Sequence, residues 1–245
     1  MKSISKLLLA LILLVGPGYT FAKHSPVAKT SFSEIVDRHL SGFNAVNVAG
    51  SFDVYIVQGP TESVKVEAPA DMMDRIKTDV EGGVLKIYNK HDNWNWGDLW
   101  GHHKKIAVYV VINDVTGINL SGSGNVFFKE GLNANSLKLH ISGSGDMTGR
   151  LTAKSLESSI TGSGDMRLSG SATNSVVEVV GSGDFTARGL ATVNTAVRVS
   201  GSGDAEINAS NKVDAAVNGS GDVRYTGAAR NINSRKNGSG DVTRF

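Results

Sequence analysis

The chain contains no cysteine, which excludes disulfides from its fold and a thiol-linked lipid anchor of the lipoprotein kind. Only four prolines occur, the last at Pro69. Beyond it every residue carries a backbone N–H, so a hydrogen-bonded ladder can run without interruption. Neither sign of charge dominates. Lys2 and Lys6 fall within the first 22 residues, and without that segment 23 basic side chains face 23 acidic ones. The remaining chain is formally neutral and lacks the basic excess by which a nucleic-acid binder shows itself, so no nucleic-acid partner is expected. Long apolar runs are missing too. The one candidate, Leu7 to Val15, is too short to remain as a bilayer span.

That run has a different reading. Lys2 and Lys6 precede it, Gly16-Pro17-Gly18 breaks it, and Thr20-Phe21-Ala22 offers small residues where a signal peptidase reads. Residues 1–22 are therefore expected to be a signal peptide cleaved after Ala22. Residues 23–38 are expected to be a flexible mature N-terminus. The protein would be exported to the periplasm or the cell surface, with no transmembrane segment after cleavage.

Glycine is what the chain has in abundance, 29 residues in all. It recurs in seven copies of Gly-Ser-Gly-Asp/Asn. The first glycines are Gly122, Gly143, Gly162, Gly181, Gly201, Gly219 and Gly238, at steps of 21, 19, 19, 20, 18 and 19 residues. The second glycines are Gly124, Gly145, Gly164, Gly183, Gly203, Gly221 and Gly240, followed by Asn125, Asp146, Asp165, Asp184, Asp204, Asp222 and Asp241. So regular a period describes a stack of like units.

Aligning the copies shows what each unit is. Two positions before the first glycine stand Leu120, Ile141, Ile160, Val179, Val199 and Val217, and four before stand Ile118, Leu139, Ser158, Val177, Val197 and Ala215. The residues between them are mostly polar, the period-two pattern of a strand with one buried face. After the tetrapeptide the apolar column resumes with Val126, Met147, Met166, Phe185, Ala205, Val223 and Val242. A strand thus enters each corner and another leaves it. Glycine suits a corner that needs positive φ or close chain approach, and the Asp or Asn side chain can accept or donate to backbone groups left unpaired there. Stacked at about 4.8 Å per layer, such coils make an all-β fold, a parallel β-helix or β-solenoid, over residues 117–245. The last copy puts Ser234 and Lys236 in the inward columns, which reads as a polar terminal cap.

Residues 39–116 lack the tetrapeptide yet read as β. Val46, Val48, Phe52, Val54 and Ile56 alternate with their neighbours, Gln58-Gly59-Pro60 turns the chain, and Val64, Val66, Leu85, Ile87, Ile106, Val108, Val110 and Ile112 follow. Asp71 to Lys77 is expected to form one short helix with an acidic first turn.

The run Gly42-Phe43-Asn44-Ala45-Val46-Asn47-Val48-Ala49-Gly50-Ser51-Phe52-Asp53-Val54-Tyr55-Ile56-Val57-Gln58-Gly59 is followed by Val64-Lys65-Val66-Glu67-Ala68, by Gly83-Val84-Leu85-Lys86-Ile87 and by the Gly-Ser-Gly-Asp series. In that order these motifs resemble the head GIN domain family over roughly residues 39–245, a family described as autotransporter adhesin heads and formerly catalogued as a domain of unknown function. The resemblance implies a right-handed β-helix similar to pectin lyases, without their catalytic residues, and a role in cell adhesion.

All three tryptophans, Trp94, Trp96 and Trp100, fall in a Trp/His-rich loop, residues 91–103. They could offer aromatic faces to a sugar or a partner protein; the plainer reading, which we favour, is that they keep a strand edge dry. His91, His102 and His103 have no ligand spacing, and adjacent histidines in a strand point to opposite faces, so no metal is expected. The Gly-Asp turns recur about every 19 residues and not with the nine-residue period of calcium-binding toxin repeats, which favours a turn role over Ca²⁺.

No cofactor and no catalytic residue is expected. The outward residues change from coil to coil, so the repeat builds no fixed acid/base pair, and its serines have no histidine at a fixed offset. The leading expectation is a non-enzymatic exported β-helix protein, an adhesin or scaffold whose partner is a protein or glycan at the cell envelope. The alternative is a carbohydrate-binding module using the tryptophan loop, with a polysaccharide lyase or hydrolase a distant third. Exposed edges of the terminal coils are compatible with homo-oligomers.

Overall fold

The alternation flanking each corner becomes parallel β-structure whose strands run through most of a coil. The computed structural model describes residues 33–90 and 106–245, among which sixteen strands join one sheet. Five carry the stack: β9 (Asn125–Gly143), β10 (Asp146–Gly162), β11 (Met166–Gly181), β12 (Phe185–Gly201) and β13 (Ala205–Gly219). Successive strands pair parallel, so that Gly143, Gly162, Gly181, Gly201 and Gly219 lie side by side. The product is a parallel β-solenoid of about 7 turns with repeats about 19 residues apart.

The three apolar columns form the core. Leu120 through Val217, Ile118 through Ala215, and Val126 through Val223 are all buried. A period of two cannot close a coil unless its phase slips. It does so where two consecutive residues face outward, at Lys154-Ser155 and Thr173-Asn174, so that Ala153 and Leu156, or Ala172 and Ser175, both point inward. This second bend has no glycine signature in those coils and was not legible in the sequence.

The N-terminal region joins the same stack, in an order different from that of the chain. Its elements are β1 (Ser33–Asp37), β2 (Ala45–Gly50), β3 (Asp53–Gln58), β4 (Ser63–Pro69), α1 (Ala70–Met73), β5 (Ile76–Glu81), β6 (Val84–Asn89), β7 (Ala107–Ile112) and β8 (Gly117–Gly122). Strand β2 lies between β6 and β8, and β3 between β7 and β9, all parallel. The β2–β3 layer is therefore internal, and the later β6–β7 layer lies outside it. Antiparallel pairings of β5 with β6, β4 with β7 and β1 with β4 then cover that end, ending the parallel stack with strands of another kind.

Three sequence expectations change here. The helix expected over 71–77 is the single turn Ala70–Met73. Ile76 is buried and already begins β5, and Arg38 donates to the Met73 and Ile76 carbonyls at 3.2 and 3.3 Å, tying the helix exit to the neighbouring chain. The segment 23–38 is not flexible throughout, because residues 33–37 form β1, paired with β4. The repeat also starts earlier than expected. Gly50 pairs with Gly122 and Asp53 opposes Asn125, so Gly50-Ser51-Phe52-Asp53 is a corner of the same kind with a buried Phe52 in place of the second glycine.

The other end is finished by polarity. Strands β14 (Val223–Thr226), β15 (Asn231–Gly238) and β16 (Val242–Arg244) complete the stack, and β15 is exposed along its whole length. Ser234 and Lys236 oppose Ala215 and Val217. Lys236 turns outward so that its Nζ lies 2.5 Å from Asp241 Oδ1.

Candidate functional site

The corners form one line along the stack, and their chemistry is directed from coil to coil. Gly162 adopts φ of +124°, which an L side chain disfavours. Its carbonyl accepts two N–H groups of the next coil, from Ser182 at 2.9 Å and Gly183 at 3.1 Å. Gly164 is glycine for close approach alone, since a Cβ there would lie 2.1 Å from the Gly145 carbonyl oxygen. Close approach thus constrains both glycines, since a Cβ on Gly162 would lie 2.3 Å from the Gly143 oxygen, and positive φ is an added constraint on the first.

The aspartates make a ladder. Asp146 Oδ1 accepts the backbone N–H of Asp165 at 3.0 Å, and the same bond recurs from Asp165 to Asp184, Asp184 to Asp204, Asp204 to Asp222 and Asp222 to Asp241. The second carboxylate oxygens turn to arginines: Arg167 lies 2.7 Å from Asp165, and Arg224 3.2 Å from Asp222 and 3.6 Å from Asp204. Asn125 opens the series because its neighbour is Asp53. Its amide donates to Asp53 Oδ1 at 2.7 Å, where a carboxylate would meet a carboxylate. The motif is a fold-building device, and among the described residues no three His, Cys, Asp or Glu side chains group as a metal site.

Binding surfaces must be sought on the outside. A groove of about 780 Å³ crosses the second bend from coil to coil, lined by Asn133, Thr152, Ser171 and Asn208 over Ala134, Ala153, Ala172 and Thr192. Elsewhere Tyr109, Tyr55 and Phe127 stack as a ladder with centroids 5.4 and 5.2 Å apart. Their faces are spent on one another, so the ladder is cross-strand packing and not a sugar platform. Tyr109 donates to Glu67 at 2.9 Å, and this bond raises its pKa above the ordinary 10.0. Tyr88 is raised likewise by Asp79, while the Lys86 ammonium and its hydrogen bond lower Glu81. Trp94, Trp96, Trp100, His91, His102 and His103 lie outside the described residues, as does the expected signal peptide. The described residues contain no helix long and apolar enough to cross a membrane.

Residues 42–229 match the family described as "Putative auto-transporter adhesin, head GIN domain". A Bacteroides fragilis protein described as a "putative adhesin" is similar at TM-score 0.81 and 23% identity, over 88% of this chain and 98% of that one. A Parabacteroides distasonis "putative adhesin" gives 0.72 and 25%, over 88% and 98%. A "putative lipid binding protein" from Parabacteroides distasonis gives 0.68 and 22%, also over 88% and 98%. No curated protein matches the sequence.

Proposed function

We propose that this chain, which belongs to the head GIN domain family, is a non-enzymatic binding protein of the cell envelope, acting as an adhesin or scaffold through the outside of a rigid stack. The observation that carries this reading is the groove at the second bend, to which β9, β10, β11 and β13 contribute the hydroxyl or amide side chains of Asn133, Thr152, Ser171 and Asn208, while β12 supplies Ala191 and Val193. A trench that repeats with the coils suits an extended partner, such as a surface polymer or a protein segment, better than a small substrate enclosed on all sides. The corner aspartates are occupied in holding the next coil's amides, which fits binding rather than turnover.

The test is attachment of the full chain to bacterial cells and to arrayed envelope glycans. The variant Thr152→Arg/Thr173→Arg blocks the groove walls, and the circular dichroism of each variant is checked first. Loss of attachment in the groove variant, with retention in the Trp94/Trp96/Trp100 alanine variant, is the expected result. The opposite pattern would move recognition to the tryptophans and support the carbohydrate-binding reading. Shortening of a polysaccharide by the pure protein would replace both with an enzyme.

A further inference from the structure

We propose that the outer face of β9 to β12 carries a site for an acidic polysaccharide. Four cationic side chains, Lys129, Arg150, Arg167 and Arg188, line one shallow depression of about 550 Å³. Register explains how residues so far apart in sequence meet there. Gly149 pairs with Phe128 and Leu151 with Leu132, so Arg150 faces the bulge Lys129-Glu130-Gly131 of the neighbouring strand. Arg150 then opposes Ser169, and Ser169 opposes Gly189, the residue after Arg188. With about 4.8 Å between strands, the row from Lys129 to Arg188 is about 14 Å long. Its floor is low because Gly149, Ser169 and Gly189 form it. Gly149 is held to glycine by the ring below, since a Cβ would come within 2.0 Å of Phe128.

The cations differ in how much of their charge is spoken for. Arg167 is bound to Asp165 at 2.7 Å and Arg188 to Glu206 at 2.7 Å. Lys129 and Arg150 have no ion-pair partner among the described residues, so the free charge lies at the β9–β10 end of the row. A cleft lined by one sign of charge concentrates the opposite sign. The form of the polyanion follows from what surrounds the charges. Thr148, Ser169 and Thr186 stand between the cations and offer hydroxyls to a polymer rich in hydroxyls. One strand step is close to one pyranose of an extended chain. Phe127 stacks on Tyr55 and lies under Lys129 at 5.3 Å, and Phe245 holds Arg188 over one face at 3.7 Å, so the depression has no aromatic series on which successive nucleic-acid bases could stack. A concave row also fits a single chain better than a flat lipid surface.

This names a ligand class for the binding role above and rests on it. The test titrates the full chain with polygalacturonate and with the same polymer fully methyl-esterified, at low and high salt, by calorimetry. The charged polymer should bind, the ester should not, and salt should weaken the binding. Lys129→Ala/Arg150→Ala should lower affinity at least about tenfold with an unchanged circular dichroism spectrum, and Arg150→Lys should keep most of it. Absence of polygalacturonate binding, equal binding of the ester, or unchanged affinity in the double variant would overturn the proposal. So would tighter binding of single-stranded DNA or of phosphatidylglycerol vesicles. If the chain still attaches to cells while polygalacturonate fails, this site falls alone; if attachment fails as well, the binding role falls with it.

Discussion

Replacing Gly164 by alanine isolates the close-approach reason for a corner glycine. No positive φ is at stake there, and the obstacle is the coil beneath: an added Cβ would lie 2.1 Å from the Gly145 oxygen and 3.0 Å from a methyl of Ile141. Relief requires the coils to part by about 1 Å or more, since carbon contacts are comfortable near 3.5 Å. That movement strikes three hydrogen bonds, from the Ser163 and Gly164 amides to the Gly143 carbonyl at 2.9 and 3.1 Å and from the Asp165 amide to Asp146 Oδ1 at 3.0 Å. At about 1 kcal/mol net for each, with a further penalty for donors left unpaired, the loss is about 3–5 kcal/mol. Gly131→Ala is the control. Its φ is +105° but nothing lies within 4 Å of the added carbon, so backbone strain alone costs about 1–2 kcal/mol. Denaturant unfolding of both variants, followed by circular dichroism, gives the comparison. If Gly164→Ala loses no more stability than Gly131→Ala, the steric account of the second glycine is wrong.

Three further outcomes are expected. Ser158 is buried, its hydroxyl has no partner, and it lies between Leu139 and Val177; Ser158→Val should raise stability by about 1–2 kcal/mol in the same unfolding assay, because it removes an unsatisfied hydroxyl and restores the apolar column. The hydrogen bond to Glu67 favours the neutral phenol of Tyr109, so the folded protein holds that proton longer than the unfolded chain. The stabilisation is complete below the unfolded value of about 10 and is lost as pH rises through the higher folded value; absorbance titration should place Tyr109 above the ordinary range, and Glu67→Ala should bring it down. Lys236→Val would deprive Asp241 of its cation and leave an apolar residue on the exposed terminal coil, so sedimentation should show stronger concentration-dependent association than in the parent chain.

The corner period and inward columns were legible because each copy repeats the same constraint on the same residue types, seven times over. The corner at Gly50 was harder to see. Phe52 replaces the second glycine, and its partner Gly122 is distant in sequence because the β6–β7 layer intervenes in the chain but not in that contact. The overlong helix came from reading Asp71 to Lys77 by its acidic start, whereas the pairing of Ile76 with Asn89 claims that residue for a strand, a tertiary contact overriding local preference. The basic row was overlooked for another reason. Lys129, Arg150 and Arg188 each stand seven residues after the first glycine of their corner, with Ser169 at that place in the intervening copy, so the row lay in the aligned repeats but outside the apolar columns and the corners that defined the fold. A formally neutral chain can therefore still gather positive charge on one face.

The stack separates two kinds of selection on its residues. A corner residue faces its own copies above and below, so any change must suit both neighbours at once: Asp165 both donates to Asp146 and accepts from Asp184. An outward residue is under no such constraint. His140, Ser159, Glu178, Arg198 and Ala216 succeed one another in a single row above an unchanged core. Surface chemistry can be rewritten there at little cost to the fold, because exposed substitutions away from special features cost about 0.5 kcal/mol or less. Likeness of fold consequently reports on the inside of such a protein, and ligand identity must be argued from outer rows. In this chain those are the groove from Asn133 to Asn208 and the cationic row from Lys129 to Arg188, which lie on different stretches of each coil and can be altered independently.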